Sequence, residues 1–295
     1  MKYLVYILKI TNNQAPRYKR LEIVIWLLWF ICILEFGLLV IFSYLTSIAI
    51  VILSILHMIG IRPFKIVKKD NPTDDLCRLV LEPADGEPVF EFQAGQFVMV
   101  RESNDSGTAT YPRAFSIASA PCESASQIEL GIKSQGSLSS TLCESSRGDK
   151  FNIQGPYGTF TLDKASDRLV FFAGGVGMTP FRSHVRESLL TELNQQIVLF
   201  YSGQTVCDLM YHAEFSELAV KYPNFKYVPI TTRECAKDWP GECQRLNQEM
   251  FDKYIADPSL WNYMMCGPQA MMDNVRELLL ARDVDVETRL RFERY

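Results

Sequence analysis

Residues 169–181 read Leu169-Val-Phe-Phe-Ala173-Gly174-Gly175-Val-Gly177-Met-Thr179-Pro180-Phe181. Leu169–Ala173 is a continuous apolar run, the signature of a strand buried on both faces. Three glycines follow within four residues, and a helical stretch opens near Thr179. Strand, glycine turn and helix in that order form the context a dinucleotide loop needs, because glycine lets the backbone approach a pyrophosphate. The string is not the usual Gly-x-Gly-x-x-Gly, and a plain tight strand–helix turn is the competing reading.

Outward from this stretch the chain divides in two. Towards the C-terminus, Gln196–Tyr201, Lys226–Pro229 and Trp261–Cys266 read as further strands. Tyr211–Lys221, Gln244–Tyr254 and Pro268–Ala281 read as helices between or after them. That alternation predicts an α/β domain with a doubly wound parallel sheet over residues 167–295. Towards the N-terminus, six short strand-like runs are separated by turn residues: Phe64–Lys68, Leu76–Leu81, Gln96–Arg101, Ala114–Ala118, Ile128–Lys133 and Lys150–Ile153. They predict a closed antiparallel β-barrel over residues 62–163. Asp163–Asp167 is the expected junction.

Residues 1–61 are of a different kind. An apolar tract runs from Leu21 to Ile61, broken only by Glu22, Glu35 and small polar residues. As one helix it would be about 60 Å long, against a hydrocarbon core about 30 Å thick. A transmembrane helical hairpin fits that length, with its turn near Glu35-Phe-Gly37 or within Ser43–Ser47; a single tilted span with an interfacial extension is the alternative. Arg17, Lys19 and Arg20 precede the tract and Arg62, Lys65, Lys68 and Lys69 follow it, which places both ends, and the soluble domains, in the cytoplasm. Glu35 and His57 are read as headgroup-zone residues near helix ends. A lone histidine does not supply both axial ligands of a membrane haem, although a partner subunit could supply one.

Charge follows the same division. Up to Asp70 there are nine Lys/Arg and three Asp/Glu, a net of +6; the whole chain is −4, so residues 71–295 carry −10. The basic residues flank an apolar tract rather than striping a folded face, which argues against a nucleic-acid binder. The eight cysteines show no Cys-x-x-Cys and no plant-type iron–sulfur spacing. They are expected to be free thiols in a reducing compartment, with no built-in cluster and no metal site.

Three further strings carry chemistry. In Arg113-Ala114-Phe115-Ser116, strand alternation puts Arg113 and Phe115 on one face and Ala114 and Ser116 on the other. The segment Gly131-Ile-Lys133-Ser-Gln-Gly136-Ser137-Leu138-Ser139 reads as a strand ending in a Gly/Ser turn that opens a helix. Backbone N–H groups there, with the Ser137 and Ser139 hydroxyls, make a pyrophosphate cradle; an ordinary serine N-cap is the plain reading. Cys266-Gly267-Pro268 ends a strand, and Glu293-Arg294-Tyr295 ends the chain.

Taken in order, these motifs resemble the ferredoxin–NADP reductase family of flavoproteins over about residues 62–295, and the C-terminal module of ferric reductases and NADPH oxidases. The resemblance implies FAD (FMN being the alternative) with NAD(P)H as electron donor. It implies that Arg113 pairs with the flavin diphosphate, that Phe115 stacks on the flavin where relatives often carry Tyr, and that Ser116 sits near the flavin atom that receives hydride. Ala114 belongs to the same strand, and Ala94-Gly-Gln-Phe97 looks like the family's turn into a barrel strand. Gly131, Lys133, Gly136, Ser137, Leu138 and Ser139 would frame the flavin diphosphate. Gly174, Gly175, Gly177, Thr179, Pro180, Gly267 and Pro268 would receive the nicotinamide nucleotide. Ser116, Cys266, Glu293 and Tyr295 would act at the hydride-transfer site, Tyr295 also covering the flavin.

Gln204 stands where some NADPH-using relatives have Arg, which leans to NADH; Arg233, in Thr231-Thr-Arg-Glu, leans to NADPH and tilts the balance slightly that way. The expected activity is a membrane-anchored NAD(P)H-dependent flavin reductase passing electrons to a haem-bearing subunit, a quinone or a ferric chelate. The alternative is a flavin-binding regulatory or assembly subunit of a membrane complex, with little turnover of its own.

Overall fold

The structure, a computed structural model, describes residues 60–102, 111–233, 235 and 238–294. The expected membrane hairpin and the terminal Tyr295 lie outside the described residues. Among the described residues no helix is long and apolar enough to cross a membrane. Residues Gly60–Tyr295 form one compact unit.

Six strands build its first half: β1 (Ile61–Thr73), β2 (Leu76–Pro83), β3 (Phe97–Glu102), β4 (Arg113–Ser116), β5 (Ile128–Lys133) and β6 (Lys150–Tyr157). They pair antiparallel in the order β4-β3-β6-β1-β2-β5. A bridge between Ile117 and Leu130 joins the two ends, so the sheet closes into the expected barrel. Closure follows from alternation: Leu79, Leu81, Val98, Val100, Leu130 and Ile153 point inward and are fully buried. Helix α1 (Ser137–Glu144) packs Leu138 and Leu142 into the same core.

The second half is a parallel sheet of β7 (Arg168–Gly174), β8 (Gln196–Gly203), β9 (Phe225–Thr231), β10 (Glu242–Cys243), β11 (Asn262–Cys266) and β12 (Leu290–Glu293). Its order is β10-β9-β8-β7-β11-β12. Helices α2 (Thr179–Leu190) and α3 (His212–Lys221) cover one face; α4 (Gln248–Tyr254) and α5 (Gln269–Leu280) cover the other, and α6 (Val286–Arg289) leads into β12. The apolar run of β7 serves both faces. Leu169, Phe171 and Ala173 enter one core, and Val170 and Phe172 enter the other. The helix expected from Gln244 begins later, because Asn247 caps it by accepting from the Met250 N–H. β10 and β12 are additions to the expected strand set.

The two halves meet over a buried imidazole. His184 of α2 is fully buried, and its Nε2 lies 3.2 Å from the Ala94 carbonyl and 3.1 Å from the Phe160 carbonyl. Two acceptors at one nitrogen require a proton there, and burial lowers the ring's pKa to about 3, so the imidazole is neutral. The turn before β3 is therefore more than a turn: Gly95 has φ +92°, and its α-carbon faces this imidazole.

The free-thiol expectation holds for Cys122 and Cys207 and is corrected for four other cysteines. Cys77 is joined to Cys143 and Cys235 to Cys243 by disulfides. The first pair is 66 residues apart in sequence, yet packing of α1 on β2 brings the α-carbons to 5.5 Å, within bonding geometry. Spacing patterns do not reveal such a pair. The reading of a reducing compartment loses its basis with it.

A β-carbon at position 95 would fall 2.1 Å from His184 Nε2 and 2.2 Å from the Phe160 carbonyl oxygen. Gly95→Ala should therefore lower the unfolding free energy by about 3 kcal/mol, combining overpacking with an unfavourable positive φ. Urea denaturation of the two proteins side by side measures it.

Candidate functional site

The sheet order reverses between β7 and β11, and in open α/β sheets ligands bind beyond the carboxyl ends of strands at such a switch point. Here the ends of β7 and β11 carry Gly174 and Cys266-Gly267-Pro268. A β-carbon on Gly267 would lie 3.0 Å from the Gly174 α-carbon, and one on Gly177 would lie 2.4 Å from the Cys266 carbonyl oxygen. These glycines let two strand ends and the turn Gly175–Met178 lie directly against each other.

Beside them opens a cavity of about 320 Å³ whose walls include Gly174, Gly175, Gln204, Asp208, Arg245 and Pro268. Lys133 reaches its rim from the barrel and also pairs with Asp75 at 3.3 Å. The Asp208 carboxylate is oriented by Thr205, whose N–H and hydroxyl donate to it at 2.8 and 2.9 Å. Arg233 is exposed, and its N–H donates to the Gln204 carbonyl at 2.9 Å, so the two residues with opposite nucleotide leanings are neighbours.

The C-terminal strand completes the site. In the register of β11 with its two neighbours, Cys266 stands opposite both Ala173 and Glu293. Cys266 is fully buried. The Ser116 hydroxyl, at the end of β4, hydrogen-bonds the Glu293 carboxyl, linking the barrel to β12. Burial pushes that carboxyl up to about 7, and the Ser116 bond offsets part of the rise by favouring the charged form. Its Oε2 is buried with no protein partner. Arg291 holds the strand in place by donating to the carbonyls of Thr159 and Thr161.

The other sequence candidates fall into two groups. Arg113, Ala114, Gly136 and Ser137 are exposed, so the face of β4 and the first turn of α1 are open to a ligand; Phe115 is half-buried beside them. Ser139 is half-buried, its hydroxyl accepting from the Gln135 N–H at 3.0 Å. Leu138 belongs to the barrel core, which leaves only its backbone for a cradle. Gly131 is buried against Thr179 and Met210, at the seam between the halves. Thr179 and Pro180 are buried at the start of α2, and the Thr179 hydroxyl donates to the Val176 carbonyl at 3.0 Å. Asp208 and Arg245 were not among the sequence candidates. Asp208 was findable, since it lies in the turn just after the second parallel strand; nothing local marks Arg245.

Comparison with known proteins agrees with this geometry. The oxidoreductase FAD-binding domain model matches residues 63–162, and the oxidoreductase NAD-binding domain model matches residues 171–277. The chain belongs to the ferredoxin–NADP reductase family. The phenol hydroxylase P5 protein of Acinetobacter pittii is 32% identical over 231 residues, covering 75% of this chain and 63% of the relative. A component of the Na(+)-translocating NADH-quinone reductase of Methylococcus capsulatus is 30% identical over 162 residues, covering 53% of this chain and 40% of the relative. The chain thus spans less than two thirds of each relative's length. A ferredoxin NADP+ reductase from Neisseria gonorrhoeae with bound FAD and NADP shares the fold, with TM-score 0.66 at 19% identity, over 80% of this chain and 98% of that one.

The two matched domains bind FAD and a nicotinamide nucleotide, and the residues present fit both. The cavity is bordered by Gly174 and Gly175, where a β-carbon at 174 would press on Pro268 and Met271 in the same wall, and the buried Glu293 oxygen at the end of β12 lacks a partner that the protein does not supply.

Glu293 gives the family site a pH signature. An acid whose pKa is higher folded than unfolded binds more protons when folded, so its contribution declines as pH rises from about 4.5 to about 7. Relative to Glu293→Gln, the wild-type chain should lose stability between pH 5 and pH 8, read from urea midpoints. A wild-type-to-variant difference that is flat over that interval would remove the assignment.

Proposed function

We propose that this chain is a membrane-anchored, NADH-dependent flavin reductase that hands electrons to a membrane-associated acceptor. The observation that carries the reading is the meeting of Ser116 from the barrel with Glu293, itself in register with Cys266, at the switch point of the parallel sheet. FAD, when bound, supplies the ring chemistry that accepts hydride from the nicotinamide and releases electrons.

The chain's own residues bind and orient. Arg113 offers a planar, permanently charged donor to the flavin diphosphate. The open N-terminus of α1, with Gly136, Ser137 and Ser139, adds backbone N–H groups. Phe115 provides an apolar ring face for the flavin. Ser116 and Glu293 hold a proton between them, and a carboxyl poised near neutrality gives it up or takes it back at low cost. Gly174, Gly175 and Pro268 would border the nucleotide and Cys266 would stand towards its nicotinamide end; the family resemblance assigns the covering of the flavin to Tyr295, which lies outside the described residues.

Donor choice rests on Asp208. A carboxylate fixed in the cavity wall suits a ribose 2′-hydroxyl and repels a 2′-phosphate. Asp208 weighs towards NADH against the slight tilt to NADPH suggested by Arg233, which is exposed beside Gln204, and against Arg245 in the same wall.

The division into an anchor of residues 1–61, a flavin barrel of 62–163 and a nucleotide domain of 167–295 follows the sequence. The apolar tract 21–61 with basic flanks supports anchoring, with the soluble domains facing the cytoplasm. A quinone, named for the Methylococcus relative, is one class of acceptor reachable there; haem and ferric chelates are others.

Full-length protein purified in mild detergent with FAD should be yellow and should bleach on anaerobic addition of NADH. NADPH should act with kcat/KM at least about 10-fold lower, and Asp208→Ser should erase most of that ratio. A well-folded protein that takes up no FAD would overturn the flavin assignment, and a yellow protein that neither nucleotide bleaches would favour a regulatory subunit. Deleting residues 1–61 should spare ferricyanide reduction by NADH while abolishing transfer to a quinone held in vesicles.

A further inference from the structure

Helix α2 begins where the nucleotide turn Gly175–Met178 ends, and Arg182 lies in its first turn. Its side chain is only 8% exposed. Nη1 donates to the Ala118 carbonyl at 2.9 Å, two residues beyond Ser116. Next to it the Ser183 hydroxyl donates to the Ser119 carbonyl at 2.7 Å. The helix that starts at the nucleotide turn is thus fastened to the strand end that carries Ser116.

The same guanidinium sits in a cage of carboxylates drawn from both halves. Nε bonds Glu214 of α3 at 2.9 Å; Nη1 meets Glu123 at 3.3 Å and Nη2 meets Glu129 of β5 at 3.6 Å. Arg186, one turn along α2, pairs with Glu123 at 2.7 Å and with Glu214 at 3.0 Å. Two guanidinium groups lie over the Tyr211 ring, Arg182 at 4.9 Å and Arg78 of β2 at 5.2 Å from its centroid.

Cohesion alone does not call for this arrangement. Apolar packing of the same volume joins two domains at least as well as a buried ion cluster, whose members must first be stripped of water. What the cluster adds is direction. A guanidinium fork accepts partners only along fixed lines, so it defines one register between α2 and the barrel. Hydride transfer needs that definition, because reacting atoms must come within about 3–3.5 Å and a misplacement of about 1 Å costs roughly 100-fold.

We infer that Arg182 is a positioning residue for hydride transfer, setting the separation between the nucleotide turn and the Ser116 end of the flavin barrel. The inference rests on the flavin–nicotinamide reading given above. Arg182 is 66 residues from Ser116 in sequence, outside every recognised motif, and does not line the cavity at the switch point.

The test uses the full-length, FAD-loaded protein and three measurements: flavin reduction by NADH in stopped flow, the primary isotope effect with 4-deuterated NADH, and reduction by dithionite. Arg182→Met should slow flavin reduction at saturating NADH by about 100-fold, keep half-saturation within about 3-fold, and change the isotope effect. Dithionite reduction and FAD content should be unchanged, and Arg182→Lys should recover part of the rate. Wild-type NADH rates in Arg182→Met would overturn the inference. So would an equal loss in dithionite reduction or in FAD content, which would mark a general folding defect.

If Arg182→Met does not fold, Glu123→Gln and Ser183→Ala each remove one tie to the barrel side; both should slow NADH reduction by about 10-fold, and normal rates in both would overturn the inference. If NADH fails to reduce the wild-type flavin, the functional reading falls by itself. Amide exchange then decides the ties: faster exchange at residues 118–120 in the variants with FAD still bound supports them, and unchanged exchange removes them.

Discussion

No side chain separates the end of β7 from the end of β11. Gly174 and Gly267 approach until a single β-carbon would touch the facing backbone at 3.0 Å, and Gly177 lies under the Cys266 carbonyl with no more room. Everything at the site depends on this contact. It lets the turn before α2 and the Cys266-Gly267-Pro268 turn border one cavity. It keeps β11 paired to β7 through its last residue, and β12 then adds to β11 in a register that sets Glu293 opposite Cys266. A side chain at any of these glycines would move strand ends apart and separate groups that come from opposite ends of the chain.

The seam between the halves treats His184, Glu293 and Arg182 each differently. His184 gives up its proton and survives as a neutral donor to two carbonyls. Glu293 does the opposite: burial favours its protonated form near neutrality, and the Ser116 hydroxyl tempers that preference. Arg182 can do neither, because a guanidinium does not titrate in this range, and so it is ringed by carboxylates. The first arrangement holds the halves together at any ordinary pH. The second stays responsive to pH. The third fixes a direction.

Two covalent links sit outside the seam. Cys77–Cys143 ties α1, whose first residue is exposed, to β2 inside the barrel wall. Lys69 reinforces that attachment by donating to the carbonyls of Cys143 and Ser145 at the end of the helix, where positive charge complements the helix dipole. Cys235–Cys243 closes the short segment between β9 and β10, the stretch that leads from Arg233 towards Arg245 at the cavity.

The sequence by itself determined the architecture and the order of the motifs. The apolar run 169–173, the glycines after it and the spaced short strands before it are local patterns. Local patterns are readable because strand and helix periodicity and glycine's freedom act between near neighbours. The tertiary structure alone decided how those motifs meet. Leu290-Arg-Phe-Glu293 alternates apolar and polar residues, but four residues are too few to mark a strand without the partner β11 that they pair with. Nothing near Arg182 announces carboxylates at 123, 129 and 214, and nothing near Cys77 announces Cys143. Asp208 faces the cavity because Thr205 turns it there, and Leu138 turns away because the barrel core takes it. Contacts between residues far apart in the chain are selected by packing of whole elements, and that selection has no local signature.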